Sequence, residues 1–137
     1  MSKTPQEIVE LLYQLLERSY SPYSGFAVAA VIKSGSGRLY GGVNVENAAY
    51  PLSRCAEQSA TLQMVSAGER EIAEVWVLSR GAQPATPCGG CRQVLSEFAH
   101  PGVPVHCLSA DGPELHTTVG ALLPHAFGKQ YLQPDQD

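Results

Sequence analysis

Near the start of the chain apolar residues recur at helical spacing: Ile8, Leu11, Leu12, Leu15 and Leu16 share one face and predict an amphipathic helix. Thr4 stands as its cap, Pro5 at its first position and Glu7 as the closing residue of a capping box, and the Ser19 to Ser24 region stops it. Phe26 to Ile32 and Leu39 to Val45 are then rich in β-branched and aromatic residues, with Ser34-Gly35-Ser36-Gly37 between them, and predict a hairpin. Cys55 to Ala67 lacks Pro and Gly and stops at Gly68, so it reads as a second helix with Ser53 as its cap. Glu74 to Leu78 is a short apolar run suited to a buried strand, followed by a polar loop over Ser79 to Thr86. Cys88 to Phe98 reads as a helix and Val103 to Leu108 as a strand. The Asp111-Gly112-Pro113 turn and a short helix near Val119 to Leu123 follow. Strands alternating with helices predict one α/β domain over residues 1–137, with helices flanking a mixed sheet and residues 129–137 as a flexible tail.

A chain of 137 residues forms a single domain that buries roughly two-thirds of its unfolded surface. A net charge of −4 and the lack of any Lys/Arg block exclude nucleic acid as the main partner and suit a small neutral substrate. The first residues form no apolar signal core, and no stretch approaches the roughly twenty apolar residues of a membrane span, which places the expected location in the cytoplasm with no membrane partner. In a reducing compartment, the clustered cysteines among the four present are better suited to metal ligation than to disulfides.

The chemistry concentrates in two short stretches, Cys55-Ala56-Glu57 and Pro87-Cys88-Gly89-Gly90-Cys91. Cys55, Cys88 and Cys91 supply the three protein ligands of a catalytic zinc, which keeps its fourth position for water. Cys-x-x-Cys alone also marks redox pairs and structural zinc sites, but the preceding proline and the upstream Cys-x-Glu sharpen the reading to the zinc-deaminase signature. Both stretches fall at predicted helix N-termini, where free N–H groups and the positive dipole end favour thiolates. Glu57 is the candidate proton shuttle: a carboxylate beside the metal can take a proton from water and return it to a ring nitrogen and a leaving amine. Without Cys55 two positions earlier, Glu57 would read as an ordinary solvated carboxylate.

From these motifs the chain resembles the short homotetrameric cytidine deaminases. The likeness extends to Ser21-Pro22-Tyr23-Ser24-Gly25-Phe26, to Asn44-Val45-Glu46-Asn47-Ala48, to Arg92-Gln93-Val94 after the second cysteine pair, and to Leu122-Leu123-Pro124 with Ala126-Phe127-Gly128. It implies a three-layer deaminase core with a five-stranded sheet and one Zn2+ per chain. The implied reaction is hydrolysis of cytidine and deoxycytidine to uridine and deoxyuridine, releasing ammonia, in pyrimidine salvage: water activated by the metal attacks C4 while Glu57 moves the protons. By the same resemblance Asn44 and Glu46 hold the ribose hydroxyls, Phe26 contacts the base, Ala56 belongs to the substrate-binding set, and Phe127 reaches into a neighbouring subunit's site, so that the assembly is a homotetramer with composite active sites. Taken singly, Asn44 and Glu46 read as exposed turn residues, and Phe26 and Phe127 as core.

The sequence departs from many such relatives at Gln58, where they carry an arginine bonded to the ligand cysteines. Three thiolates leave a negative site, and Arg54 and Arg92 are the candidate compensating charges beside Gln58. Three other readings stay open: a deaminase of a related nucleoside such as blasticidin S, a structural zinc module closed by Cys107 or His106, and a dithiol oxidoreductase built on Cys88 and Cys91.

Overall fold

The computed structural model describes residues 4–132. In chain order it contains α1 (Gln6–Leu16), β1 (Val28–Ser34), β2 (Leu39–Val43), α2 (Ala56–Ser66), β3 (Ile72–Ser79), α3 (Gly89–Phe98), β4 (Pro104–Ser109), β5 (Leu115–Thr118) and α4 (Val119–Leu122), with 3-10 turns at Tyr50–Leu52 and Lys129–Tyr131. The strands form one mixed sheet in the order β2-β1-β3-β4-β5, in which only β3 and β4 run parallel. The parallel pair is joined through α3, the crossover that parallel neighbours require.

The period-two alternation of the strands divides the core into two layers. Ala29 and Val31 of β1, with Trp76 and Leu78 of β3 and Leu108 of β4, meet Ile8, Leu12 and Leu16 of α1. Their neighbours Ala30, Ile32, Val75, Val77, Val105 and Cys107 face the other way, against Ala56, Ala60 and Met64 of α2 and Leu95 of α3. Helices therefore cover both faces of the sheet, which is the layered α/β arrangement expected from the alternating pattern. Among the described residues no helix is long and apolar enough to cross a membrane.

Several boundaries differ from the sequence reading. Pro5 has φ −56° and ψ 143°, so α1 begins at Gln6, and Pro5, which flanks it, makes no side-chain capping bond. The capping box centred on Thr4 is one residue out of register. Helix α2 is flanked by Cys55 and not by Ser53, whose hydroxyl instead accepts the Asn47 N–H at 3.0 Å. Strand β1 begins at Val28, two residues after Phe26. Lys129–Tyr131 forms a turn, Phe127 stacks on Tyr131 at 5.2 Å, and residues 133–137 of the expected tail lie outside the described residues.

Gly42 of β2 explains how α2 comes to lie so close to the sheet. A Cβ there would stand 2.4 Å from the Ala60 nitrogen and 2.6 Å from the Ala56 carbonyl, both backbone atoms that cannot swing aside. Gly42→Ala is expected to destabilise the fold by about 1–3 kcal/mol, because α2 must move bodily outward. A shift of the denaturant midpoint, with turnover falling alongside because α2 carries Glu57, is the check.

Candidate active site

Cys55 flanks the first turn of α2 and Cys88 that of α3, with Cys91 one turn further into α3. Both helices aim their free N–H groups and positive dipole ends at the sulfurs. The three Sγ atoms lie within 4.8 Å of one another, with Cys55 to Cys88 at 3.8 Å and Cys88 to Cys91 at 3.4 Å. Tetrahedral zinc with bonds of about 2.3 Å sets its sulfur ligands ~3.8 Å apart, so the thiol cluster fits that ion. Among the described residues no fourth His, Cys, Asp or Glu joins the group. Cys107 is buried in the sheet core, and its thiol is pushed up to about 11 by burial. His106 is occupied by Glu74 and His116. The closed, four-ligand structural site is thereby disfavoured, and the open position of a catalytic site remains.

The cluster holds its protons unevenly. Cys55 is drawn down to about 6, chiefly by a hydrogen bond from Cys91 and further by one from Cys88 and the charge of Arg54, against the opposing effect of burial. Cys91, fully buried, is held protonated by its bond to Cys55 and by burial. Gln58 donates from Nε2 to the Cys91 sulfur at 3.6 Å, a hydrogen bond without a charge.

A cavity of about 290 Å³ opens over the cluster, near the lower end for small-molecule sites of ~300 Å³ and more. Phe26, Asn44, Glu46, Arg54, Cys55, Ala56, Glu57 and Cys88 line it, together with Ser24, Val77 and Thr86, to which the sequence reading gave no role. Ser24 was visible only as part of a matching segment. Its function appears in three dimensions: its hydroxyl and backbone N–H both donate to the Glu46 carboxylate, and the Tyr23 N–H adds another bond at 3.0 Å. These donors, the Ser24 hydroxyl first, hold the Glu46 carboxyl below its usual range.

Glu57 lies at the cavity floor in the first turn of α2, only 4 % exposed. Burial raises its carboxyl to about 7, and the neighbouring Cys55 charge adds to the rise, while a bond from its own backbone amide pulls the other way. That value suits a group which must both accept and donate a proton near neutrality.

Asn44 is less free than the sequence suggests. Its Oδ1 accepts the Ser19 hydroxyl at 2.5 Å and the Val28 N–H at 2.9 Å, and its Nδ2 donates to the Phe26 carbonyl at 2.8 Å. One N–H remains for a substrate hydroxyl. Asn44 and Glu46 thus also fasten the 19–28 segment over the cavity.

Phe127 is exposed and does not line this cavity. Its carbonyl accepts from Gln93 of α3. Arg54 lines the cavity and donates to the Pro51 and Ser53 carbonyls. Arg92 makes none of its observed bonds to sulfur. It donates to the Pro87 carbonyl at 2.7 Å, the Leu122 carbonyl at 2.9 Å and the Thr86 hydroxyl at 3.1 Å, clamping the Cys88 loop and α4 to α3. Arg92→Lys, which can satisfy only part of that set, is expected to cost about 2 kcal/mol of stability while zinc stays near one per chain. Urea titration and metal analysis of the same sample separate the two effects.

A family model described as the cytidine and deoxycytidylate deaminase zinc-binding region matches residues 2–107. The chain belongs to this family. The match spans both metal stretches and Glu57 and ends before Phe127. A cytidine deaminase from Sporosarcina psychrophila is 41 % identical over 116 residues, covering 85 % of each chain. A cytidine deaminase from Mycoplasma genitalium is 36 % identical over 123 residues, 89 % of this chain and 94 % of that one. Among solved structures, a cytidine deaminase from Burkholderia pseudomallei superposes with a TM-score of 0.85 at 37 % identity, covering 90 % of this chain and 99 % of that one. As a member of a zinc-dependent hydrolase family, the chain has zinc as its cofactor, and the Cys55, Cys88 and Cys91 cluster is positioned to hold it.

Proposed function

We propose that this protein hydrolyses cytidine and deoxycytidine to uridine and deoxyuridine with release of ammonia. The observation that carries this reading is the buried Glu57 at the floor of a nucleoside-sized cavity, two residues from one of three clustered thiols. Zinc, when bound, supplies a Lewis acid that makes water nucleophilic near neutral pH. Cys55, Cys88 and Cys91 hold it there. Glu57 takes a proton from the attacking water and passes it to ring N3 as the C4 carbon is attacked, then takes the second proton from the new C4 hydroxyl and hands it to the departing amine, leaving the C4 carbonyl. Water is consumed and ammonia released, so the carboxylate ends in its starting state. Phe26 lies against the base, and the Asn44 N–H together with the remaining lone pairs of Glu46 meets the sugar hydroxyls. The walls around Glu57 exclude water and so keep it a competent acid as well as a base.

The free nucleoside is favoured over a polynucleotide because the cavity is small and the net charge is −4. A panel of cytidine, deoxycytidine, deoxycytidylate, blasticidin S and a cytosine-containing oligonucleotide, compared by kcat/KM, is the test. The two nucleosides are expected to lead, and a leading nucleotide or oligonucleotide would overturn the assignment. The same reading places Phe127 in a neighbouring copy's cavity within a homotetramer, supported by exposed Tyr20, Tyr50, Leu52, Phe127 and Tyr131. A particle mass of four chains is expected in solution, and an active monomer would contradict it. Four unpaired thiols suit a reducing compartment, which we take to be the cytoplasm.

A further inference from the structure

On the α1 face of the sheet, toward its β5 edge, four titratable side chains form one hydrogen-bonded row. His106 of β4 and His116 of β5 are direct cross-strand partners, with their Nδ1 atoms 2.6 Å apart. Each ring is held from its far side by a carboxylate: His106 Nε2 by Glu74 at 2.6 Å and His116 Nε2 by Glu114 at 3.0 Å. Contact with carboxylates makes both Nε2 atoms donors, which turns the two Nδ1 atoms toward each other. None of the four residues belongs to the catalytic cavity.

This is the arrangement in which metal-binding histidines are commonly found: the ligating nitrogen is directed inward, and the other N–H is fixed by a carboxylate that sets the tautomer and raises ligand basicity. We propose that His106 and His116 form a second metal site, which takes a divalent late transition ion through their two Nδ1 atoms. Imidazole nitrogens favour Ni2+, Cu2+ and Zn2+ over Mg2+ or Ca2+. Bonds of about 2.0–2.1 Å at angles near 90–109° set two nitrogens ~2.9–3.4 Å apart, so a small rotation of either ring admits the ion. The ion sits between the two Nδ1 atoms, and its two positive charges balance the Glu74 and Glu114 carboxylates. Water completes the coordination, because both side chains are partly exposed at 17 % and 32 %. The bound ion would tie the edge strand β5 to β4.

Trp76, the single tryptophan of the chain, reports on this site because its ring stacks on His106 with centroids 5.7 Å apart. NiCl2 titrated into zinc-replete protein is expected to quench Trp76 fluorescence saturably, with one nickel bound per chain in addition to the catalytic zinc by metal analysis. His116→Asn is expected to weaken the nickel midpoint tenfold or more. Glu114→Gln should weaken it about tenfold by releasing the second ring. His100→Asn, remote from the row, should leave the midpoint unchanged, and native circular dichroism of each variant separates loss of the site from loss of the fold. Quenching that does not saturate, that persists unchanged in both His116→Asn and Glu114→Gln, or that accompanies nickel displacing zinc without adding to it overturns the proposal.

Discussion

Glu57→Gln protein is expected to retain one zinc per chain and its native fold while its turnover of cytidine falls by ~10³–10⁴-fold, the upper part of the range for loss of a general acid–base group. The substitution preserves volume and hydrogen-bonding reach at a position that is 4 % exposed, so the core formed by Ala56, Ala60 and Met64 is undisturbed. What it removes is the ability to carry a proton. Because burial already holds the native carboxyl near 7, an amide there also relieves the burial of a charge, and stability should not fall. Retained zinc with lost turnover places Glu57 in the chemistry. Turnover within a few fold of native would remove it from that role, and simultaneous loss of zinc would make it a structural support of the metal site.

Cys91→Ser is expected to lose zinc and all measurable turnover together, and to unfold at lower denaturant than the native chain. The sulfur is fully buried under the cluster, at a position that receives the Cys88 thiol and the Gln58 amide. A hydroxyl there gives the metal a harder, poorly ionised ligand. An ion that binds only the folded chain stabilises it by about 4 kcal/mol when present at a thousandfold excess over its dissociation constant, so loss of the metal should be visible in the unfolding curve. Chelation of the native protein should reproduce the same shift, and zinc restored afterwards should reverse it. Cys107→Ser supplies the contrast. It places a hydroxyl in the apolar layer of Val105 and Val77, so it should lower stability by about 1–3 kcal/mol yet keep the metal and the activity. Zinc loss from that variant would mean a fourth protein ligand and a closed site.

Helix α1 was legible because its apolar residues are spaced for one buried face, and α2 because it lacks Pro and Gly and meets a glycine at its end. Gly68, at φ 94°, ends α2 where the sequence says it should. Strand β5 gave no such signal. Its four residues Leu115-His116-Thr117-Thr118 are too few and too exposed to show a periodic pattern, and a fifth strand was expected only from the family resemblance. The caps failed for a related reason: a serine or threonine near a helix start marks the neighbourhood, while the flanking residue is fixed by backbone angles that tertiary packing selects.

The site divides in the same way. The clustering of Cys55, Cys88 and Cys91 with Glu57 in one cavity was legible because each half of the constellation rests on short-range spacing at a helix start. The Ser24 bonds to Glu46 and the Asn44 bonds to Ser19, Phe26 and Val28 join segments between sixteen and twenty-five residues apart, and only the folded chain shows them. Arg92 has hydrogen bonds that only the folded chain reveals. Adjacency to Cys91 in sequence suggested a charge for the sulfurs, whereas the helix carries its side chain toward the Pro87 and Leu122 carbonyls.

The most direct measurement is the loss of cytosine absorbance when cytidine is added to native protein carrying one zinc per chain by metal analysis, with the product identified by chromatography. Stoichiometric conversion to uridine and ammonia is the expected result. Absence of conversion by fully zinc-loaded, folded protein would contradict the assignment of this cavity to cytidine hydrolysis.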